Sequence, residues 1–203
     1  MKNFILICAT LLIFQITENS KSQEMYSVDS LFPEIRIDTL HLYDGMVNTW
    51  LSGNFVPSSY IDNYHFAQKG IIYYAMNRFY IDKLKKYKAY LFIDSGSEHW
   101  KGAIYLVIYN TTGQKELIFR ERVAFYTYLS TAYEETQNAW IADFDGDGNI
   151  DIGIYNQIID FEMSTDDAPN TSGSNQYIYV FKNGKYEMMD WKLDILKRFQ
   201  LIK

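Results

Sequence analysis

Four aspartates are concentrated in one short stretch of this sequence, at a spacing that could bind a cation. Residues 139–156 read AWIADFDGDGNIDIGIYN, and Asp143, Asp145, Asp147 and Asp151 fall within nine consecutive positions between two apolar runs. Carboxylates this close repel one another unless a positive charge neutralises them or solvent screens them. The stretch therefore predicts a bound cation, with a solvated Asp/Gly turn as the simpler alternative.

The spacing of the oxygen donors indicates the type of cation. The aspartates occupy positions 1, 3, 5 and 9 of an Asp-x-Asp-Gly-Asp-Gly-x-x-Asp loop, and Asn149 can offer its main-chain carbonyl at position 7. Gly146 and Gly148 permit the left-handed turns that aim alternate side chains inward. The loop contains no His or Cys, which disfavours zinc, and its many carboxylates suit calcium better than magnesium. The expected calcium ligands are Asp143, Asp145, Asp147, Asn149 and Asp151.

The remaining polar residues form no recognisable catalytic motif. His41, His65 and His99 are isolated, and isolated histidines are more often structural or solvated than catalytic. Asp94, Ser95 and His99 include the residue types of a catalytic triad, but close neighbours on one turn rarely supply triad geometry. The sequence has no Gly-x-Ser-x-Gly or His-Glu-x-x-His run. We assign no catalytic residue, although two carboxylates on distant strands, as in a carbohydrate-active hydrolase, stay open as an alternative.

The elements on either side of the aspartate loop are expected to be β-strands. The chain has 203 residues, 48% of them apolar and 17% aromatic, and aromatic side chains pack well on a half-buried pleated surface. Asn183-Gly184 separates two apolar runs, which is the pattern of a tight hairpin. Short aromatic runs bounded by turn residues predict strands at 88–94, 103–109, 115–119, 123–130, 150–159, 176–182 and 185–191.

Two segments share one plan of antiparallel strands. Residues 104–118 and 178–189 each begin with Ile-Tyr and continue through an apolar strand, an Asn-containing turn with Gly, and a return strand. Each follows an apolar strand that ends in an aspartate, at Asp94 and Asp143. The duplication suggests blade-like units. We therefore predict a mainly β fold with antiparallel, β-propeller-like or meander sheets, one calcium-binding loop and short helices.

Other segments give weaker indications. Residues 34–42 have strand character, and 45–51 suggest a helical turn. Residues 71–86 are compatible with a hairpin or a helix, and their many Tyr and Phe residues favour strands. Residues 193–202 look like a short amphipathic helix. Residues 160–175 are predicted to form a polar loop, and long loops of this kind are usually functional or mobile.

The N-terminus indicates export. Residues 1–22 contain Lys2, an apolar stretch from Phe4 to Ile16 and a small, polar ending, which is the pattern of a signal peptide. About 13 apolar residues are too few to span ~30 Å of hydrocarbon. Residues 23–203 are then expected to form a single periplasmic or extracellular domain. Cys8 is the only cysteine and lies in the signal, so no disulfide would stabilise that domain.

The charge of the chain bears on its partners. The formal net charge is −6, which argues against nucleic acid as a ligand. It is compatible with a basic protein, and the acidic segment 160–167 would suit such a target.

The aspartate loop and the strands after it resemble a known repeat. ADFDGDGNIDIGIYN followed by YIYVFKNGKYE is similar to one FG-GAP or VCBS-type repeat, the calcium-loop blade of integrin-like β-propellers; the resemblance covers about residues 139–189. It implies side-chain ligation by the four aspartates and main-chain ligation by Asn149. Position 12, a bidentate Glu in EF-hands, is Ile154 here, so the loop does not belong to an EF-hand.

A single loop of this kind also resembles a second group of proteins. Bacterial periplasmic lysozyme inhibitors and immunity proteins have one aspartate-rich calcium loop, followed by a Ser/Gly/Asn segment and a tyrosine-rich strand, as in SGSNQYIYVF here. The resemblance implies an exported calcium-binding domain that binds a protein or glycan, such as a cell-wall hydrolase. The competing hypothesis is a carbohydrate-active hydrolase.

Overall fold

The computed structural model describes residues 29–46, 53–57, 70–96, 100–113, 116–128, 133–160 and 171–190. The expected signal peptide, His65, His99, residues 161–170 and the helix expected at 193–202 lie outside these residues. Within them, the prediction of a mainly β, antiparallel fold is confirmed, and of the two sheet arrangements considered the strands form a meander. The helix content of the described residues is one short 3-10 turn at Asp44–Met46.

All ten described strands belong to one sheet. Their order is β10-β9-β8-β7-β6-β5-β4-β3-β2, so each strand pairs with its neighbours in the chain, and β1 pairs with β7 off this path. Both segments of the suspected duplication lie in this sheet. The strands are β1 (Thr39–Leu42), β2 (Asn54–Phe55), β3 (Tyr73–Tyr80), β4 (Tyr87–Asp94), β5 (Trp100–Asn110), β6 (Glu116–Tyr128), β7 (Tyr133–Ala142), β8 (Asp151–Asp160), β9 (Thr171–Lys182) and β10 (Lys185–Asp190).

Several strand boundaries differ from the sequence predictions, and two of the differences have a clear physical reason. Residues 115–119 and 123–130 were expected to be separate strands, but β6 runs through Arg120, Glu121 and Arg122, which pair with β5. Three consecutive charged residues suggest a turn in the sequence, but their backbone continues the pairing with β5. The prediction of a loop at 160–175 is wrong at both of its ends, because Asp160 belongs to β8 and the residues from Thr171 onward belong to β9, which pairs with β8.

The sheet has a core on each face. Leu91 and Ile93 of β4 belong to the larger apolar cluster, whereas Tyr90 and Phe92 of the same strand belong to a second cluster. Phe32, in the segment before β1, packs in this second cluster and is itself buried. The central strands are therefore buried on both faces, which explains why they read as continuous apolar runs rather than alternating ones.

The sheet curls so that distant strands meet over the larger cluster. The rings of Tyr87 on β4 and Phe181 on β9 lie 4.8 Å apart between centroids, although four strands separate β4 from β9 in the sheet. Phe119 on β6 contacts Tyr179 on β9 at 5.0 Å. This curl brings the β3–β4 and β9–β10 turns to the end of the sheet that carries the aspartate loop.

The N-terminal segment spans two parts of the sheet. At one end, the amide of Ile35 donates to the carbonyl of Arg78 at 2.9 Å, and the amide of Arg78 donates to the carbonyl of Pro33 at 2.9 Å. At the other end, β1 pairs with the last four residues of β7, from Leu42 opposite Ala139 to Thr39 opposite Ala142. The segment therefore connects β3 to the strand that leads into the aspartate loop.

Candidate metal centre

The aspartate loop connects β7 to β8 and has the backbone that its sequence predicts. Gly146 and Gly148 have φ values of 82° and 87°, which lie in the left-handed region that glycine adopts without strain. A Cβ on Gly146 would meet nothing within 4 Å, so the backbone conformation alone requires glycine there. The two glycines turn the chain back on itself, and three of the four aspartates, Asp143, Asp145 and Asp151, come together.

Backbone amides hold the first aspartate in position. Asp143 Oδ1 accepts a hydrogen bond from the amide of Gly146 at 2.7 Å, and Oδ2 accepts one from the amide of Gly148 at 2.8 Å. Asp145 Oδ1 accepts a longer bond of 3.2 Å from the amide of Asp147. A carboxylate oxygen has two lone pairs, so each of these oxygens can still ligate a cation. The aspartate side chains thus help to hold the loop backbone in its turn.

Three of the expected ligands lie together. Asp143, Asp145 and Asp151 each place a carboxylate oxygen so that all three atoms lie within 4.8 Å of one another. Calcium–oxygen distances are 2.3–2.6 Å, so one ion can contact ligand atoms up to about 5 Å apart. The cluster could therefore hold a metal ion, and its donor set of oxygens alone fits a hard cation.

The other two expected ligands are placed differently. Asp147 is not a member of the three-carboxylate cluster. Its Oδ1 accepts the amide of Asn149 at 2.8 Å, and its Oδ2 accepts the side-chain amide of Asn149 at 3.0 Å. These bonds fix the second half of the loop, which contains the main-chain carbonyl expected at position 7.

Asp151 is the buried member of the cluster. Its side chain has no exposed surface, and its two oxygens accept the amides of Phe144 and Phe181, each at 2.9 Å. Burial raises the pKa of Asp151 to about 6; the two amides oppose this increase, and the charges of Asp145 and Asp147 add to it. One carboxylate therefore connects the loop, the start of β8 and the end of β9.

Few positive charges compensate the negative charge of the loop aspartates. Among the described residues, the one ion pair that involves its aspartates joins Lys182 Nζ to Asp145 Oδ2 at 4.0 Å, the limit of such a contact. Lys83 lies over the loop backbone, with its Nζ 2.9 Å from where a Cβ on Gly148 would be. Neither lysine could be assigned to the site from the sequence, because both reach it from turns that are distant along the chain.

The loop is accessible from solvent. Asp143 and Gly148 form part of the wall of an open cleft of about 630 Å³, together with residues of the N-terminal segment and of the β3–β4 turn. An ion can therefore reach the cluster without opening the core, while Asp151 forms the buried side of the site.

The pKa of Asp151 predicts how stability depends on pH. In the metal-free protein the folded state binds this proton more tightly than the unfolded state, because the folded pKa of about 6 exceeds the reference value of 3.8. Stability should therefore rise as the pH falls from 7 toward 5. With calcium the sign reverses, because the ion requires the ionised carboxylate.

Thermal melts of metal-stripped and calcium-loaded protein at pH 7 and pH 5 measure this effect. Asp151→Asn is the control, because it cannot titrate and should remove the difference between the two pH responses. Parallel responses of the metal-stripped and calcium-loaded wild type would contradict the prediction.

The described histidine and the triad-like residues have structural contacts. His41 stacks on Trp140 with ring centroids 4.5 Å apart, and burial lowers its pKa. Asp94 accepts the amides of Gly96 and Ala103, each at 2.9 Å, and the hydroxyl of Tyr105 at 3.1 Å. Through these bonds Asp94 holds the β4–β5 connection in place.

The chain matches no protein-family model, no curated protein and no solved structure. In the part of the chain that the structure describes, no helix has the length and apolar character needed to cross a bilayer.

Proposed function

We propose that this chain is an exported binding domain stabilised by one calcium ion, and that it inhibits or sequesters a cell-wall hydrolase. The ion is held by side chains of Asp143, Asp145, Asp147 and Asp151 and by the main-chain carbonyl of Asn149. The observation that carries the metal part of the proposal is the placement of three carboxylates within 4.8 Å around the buried Asp151.

Calcium fits this donor set better than other common cations. The described cluster offers oxygens from a flexible, glycine-containing loop and no sulfur or imidazole. Calcium accepts six to eight oxygens in irregular geometry, whereas magnesium demands a near-octahedral shell and keeps its waters. The four aspartates also outnumber the two lysines that reach the loop, Lys83 and Lys182, and this excess of negative charge is one that a divalent ion neutralises.

The ion has a structural role in this proposal, because the loop is joined to three other parts of the sheet. Besides the bond from Phe181 to Asp151, the amide of Ile150 donates to the carbonyl of Ile81 at 3.0 Å. The hydroxyl of Tyr186 on β10 donates to the carbonyl of Ile150 at 2.8 Å. Neutralising the aspartates therefore stabilises the contacts between β8 and the ends of β3, β9 and β10.

The partner part of the proposal is supported by charge and by the sequence resemblance. The net charge of −6 suits a basic target, and lysozyme-like hydrolases are targets of the periplasmic inhibitors that the loop resembles. The described residues that resemble a triad serve as structural acceptors, which favours a binding role over catalysis.

Thermal melts test the calcium site. Calcium at a hundredfold excess over its dissociation constant adds about 2.7 kcal/mol of stability. Chelation should therefore lower the melting temperature by several degrees. Asp145→Ala and Asp147→Ala should melt lower than wild type in calcium and should lose most of the response to calcium. Coincident wild-type melts in calcium and in chelator would show that the loop is an ordinary turn.

A binding experiment tests the partner separately. The domain without residues 1–22 is immobilised, and retention of a basic lysozyme and inhibition of its lytic activity are measured in calcium. We expect both to weaken for Asp145→Ala. Release of reducing sugars from peptidoglycan by the domain alone would instead support the hydrolase alternative. The outcome of this experiment is independent of the outcome of the thermal melts, so the partner and the calcium site are tested separately.

A further inference from the structure

The inner face of the curled sheet continues beyond its apolar cluster with polar side chains. Tyr177 and Tyr179 on β9 pack against the larger cluster and are half-buried. Glu121 on β6 lies opposite Leu106, a member of the same cluster, and residues that pair across two strands point to the same face. Burial raises the pKa of Tyr177 and raises the pKa of Tyr179 to about 12, and the charge of Glu121 contributes to both increases. The Glu121 carboxylate therefore lies near both tyrosines.

A second carboxylate lies beside the tyrosines. Glu135 on β7 accepts a hydrogen bond at 2.7 Å from the side-chain amide of Asn156 on β8. Asn156 shares the inner face, because it follows the buried Ile154 by two positions, and Ile154 lies opposite Tyr177. The charge of Glu135 also contributes to the raised pKa of Tyr177. Two carboxylates from different strands thus converge on one tyrosine.

The side-chain amides of this face donate within the protein. Asn156 Nδ2 donates to Glu135, and Gln137 Nε2 donates to the carbonyl of Arg122. Asn156 Oδ1 is buried and receives no hydrogen bond from a described group, so it adds a negative partial charge beside Glu135. Carboxylate oxygens are the main groups left for a ligand. They favour a ligand that donates hydrogen bonds and carries positive charge over a neutral glycan, which uses both donors and acceptors.

The arginines next to Glu121 in the sequence lie on the opposite face. Arg120 pairs with Val107, and the guanidinium of Arg122 lies 3.5 Å from the ring centroid of Phe125; Val107 and Phe125 belong to the second cluster. Burial raises the pKa of Glu121 more than the two arginine charges lower it. Among the described residues, no ion pair includes Glu121. These residues therefore leave its charge uncompensated on the inner face.

The tyrosine rings add to the attraction for a cation. The ring centroids of Tyr177 and Tyr179 lie 5.5 Å apart with 88° between the ring planes, and Phe119 on β6 packs against Tyr179. The face of an aromatic ring carries negative partial charge, so it attracts a cation. Rings beside carboxylates are surroundings that suit an alkylammonium group.

We propose that the inner-face site formed by Glu121, Glu135, Tyr177 and Tyr179 binds the ammonium or guanidinium group of a lysine or arginine side chain of a protein partner. The cation forms charge-assisted hydrogen bonds with the carboxylates and lies against the rings. The inference deepens the proposed function and rests on it for the partner, because a basic hydrolase presents such side chains. It assigns the contact to strands β6, β7 and β9.

A nuclear magnetic resonance titration tests the site without the partner. The isotope-labelled domain without residues 1–22, kept in calcium, is titrated with the capped peptide Gly-Gly-Lys-Gly-Gly and with versions that carry arginine or norleucine in place of lysine. We expect the two cationic peptides to shift the backbone amide signals of the four site residues, and the norleucine peptide to leave them unchanged. Equal shifts with the norleucine peptide, or shifts with neutral chitotriose and none with the lysine peptide, would overturn the proposal.

Variants of the site residues test the contacts. Glu121→Gln and Glu135→Gln should each weaken binding of the lysine peptide about fivefold, as for a partly exposed ion pair. Tyr177→Leu should weaken it about threefold, because the ring is lost. Glu116→Gln is the matched control, because it removes the same charge from another exposed position of β6 and should bind as wild type does. The amide spectrum shows whether each variant is folded, and wild-type affinity in either carboxylate variant would overturn the proposal.

Retention of a basic lysozyme separates this site from the proposed function. We expect Glu121→Gln to retain less lysozyme than wild type and Glu116→Gln to retain the same amount. Equal retention by wild type and Glu121→Gln would overturn the site as the partner surface and leave the inhibitor proposal standing. Binding of the lysine peptide without retention of lysozyme would support the site and overturn the hydrolase as its partner.

Discussion

Replacing Asp151 with alanine is expected to lower the free energy of unfolding by roughly 4–5 kcal/mol in calcium and by roughly 2 kcal/mol in chelator. The change leaves the buried amides of Phe144 and Phe181 without their acceptor, at about 1 kcal/mol each, in either condition. The larger effect in calcium follows from the loss of the buried ligand.

Urea denaturation of wild type and Asp151→Ala, with calcium and with chelator, measures both quantities. The lost amide contacts are the same with calcium and with chelator. The difference between the two losses of stability therefore gives the contribution of the ion. An equal loss of stability with calcium and with chelator would exclude Asp151 as a ligand and leave it a purely structural carboxylate.

The second large effect is expected at Asp94, the other described aspartate that is almost fully buried. Its side chain is 1% exposed and accepts the amides of Gly96 and Ala103 and the hydroxyl of Tyr105. Asp94→Ala should cost about 3 kcal/mol, roughly 1 kcal/mol for each donor left unpaired.

This loss should be the same in calcium and in chelator, since Asp94 belongs to the β4–β5 connection and not to the loop. Urea denaturation in both conditions checks it, which makes Asp94→Ala the matched control for Asp151→Ala. A calcium-dependent cost at Asp94 would indicate that chelation affects the whole sheet rather than the loop alone.

Local chemistry made part of the fold predictable. The left-handed turns at Gly146 and Gly148 follow from the loop sequence, and Asn183-Gly184 forms the predicted hairpin with φ values of 52° and 82°. The apolar central strands were predicted because burial on both faces requires apolar residues at every position. In these segments the residues that determine the structure are adjacent in the sequence.

The remaining features depend on contacts between distant residues. The first part of β7, YEETQN, is polar and was not predicted as a strand, yet it pairs with β6 and β8. Likewise, the spacing of the aspartates identifies Asp151 as a ligand but not as the buried one. Its burial depends on Phe181, thirty residues later in the chain, and no local pattern contains that information.

The N-terminal segment has a consequence for the time course of folding. β2 to β10 pair with their chain neighbours, so each hairpin can close as soon as its two strands are available, at a small cost in loop entropy. β1 has no such neighbour, because its partner β7 lies about 100 residues later in the chain. The N-terminal segment is thus among the last parts of the sheet to dock, and it docks beside the strand that leads into the aspartate loop. Until it docks, the edge of β7 at residues 139–142 lacks its partner. A folding chain therefore passes through an interval in which the loop is formed but one side of its supporting strand is open.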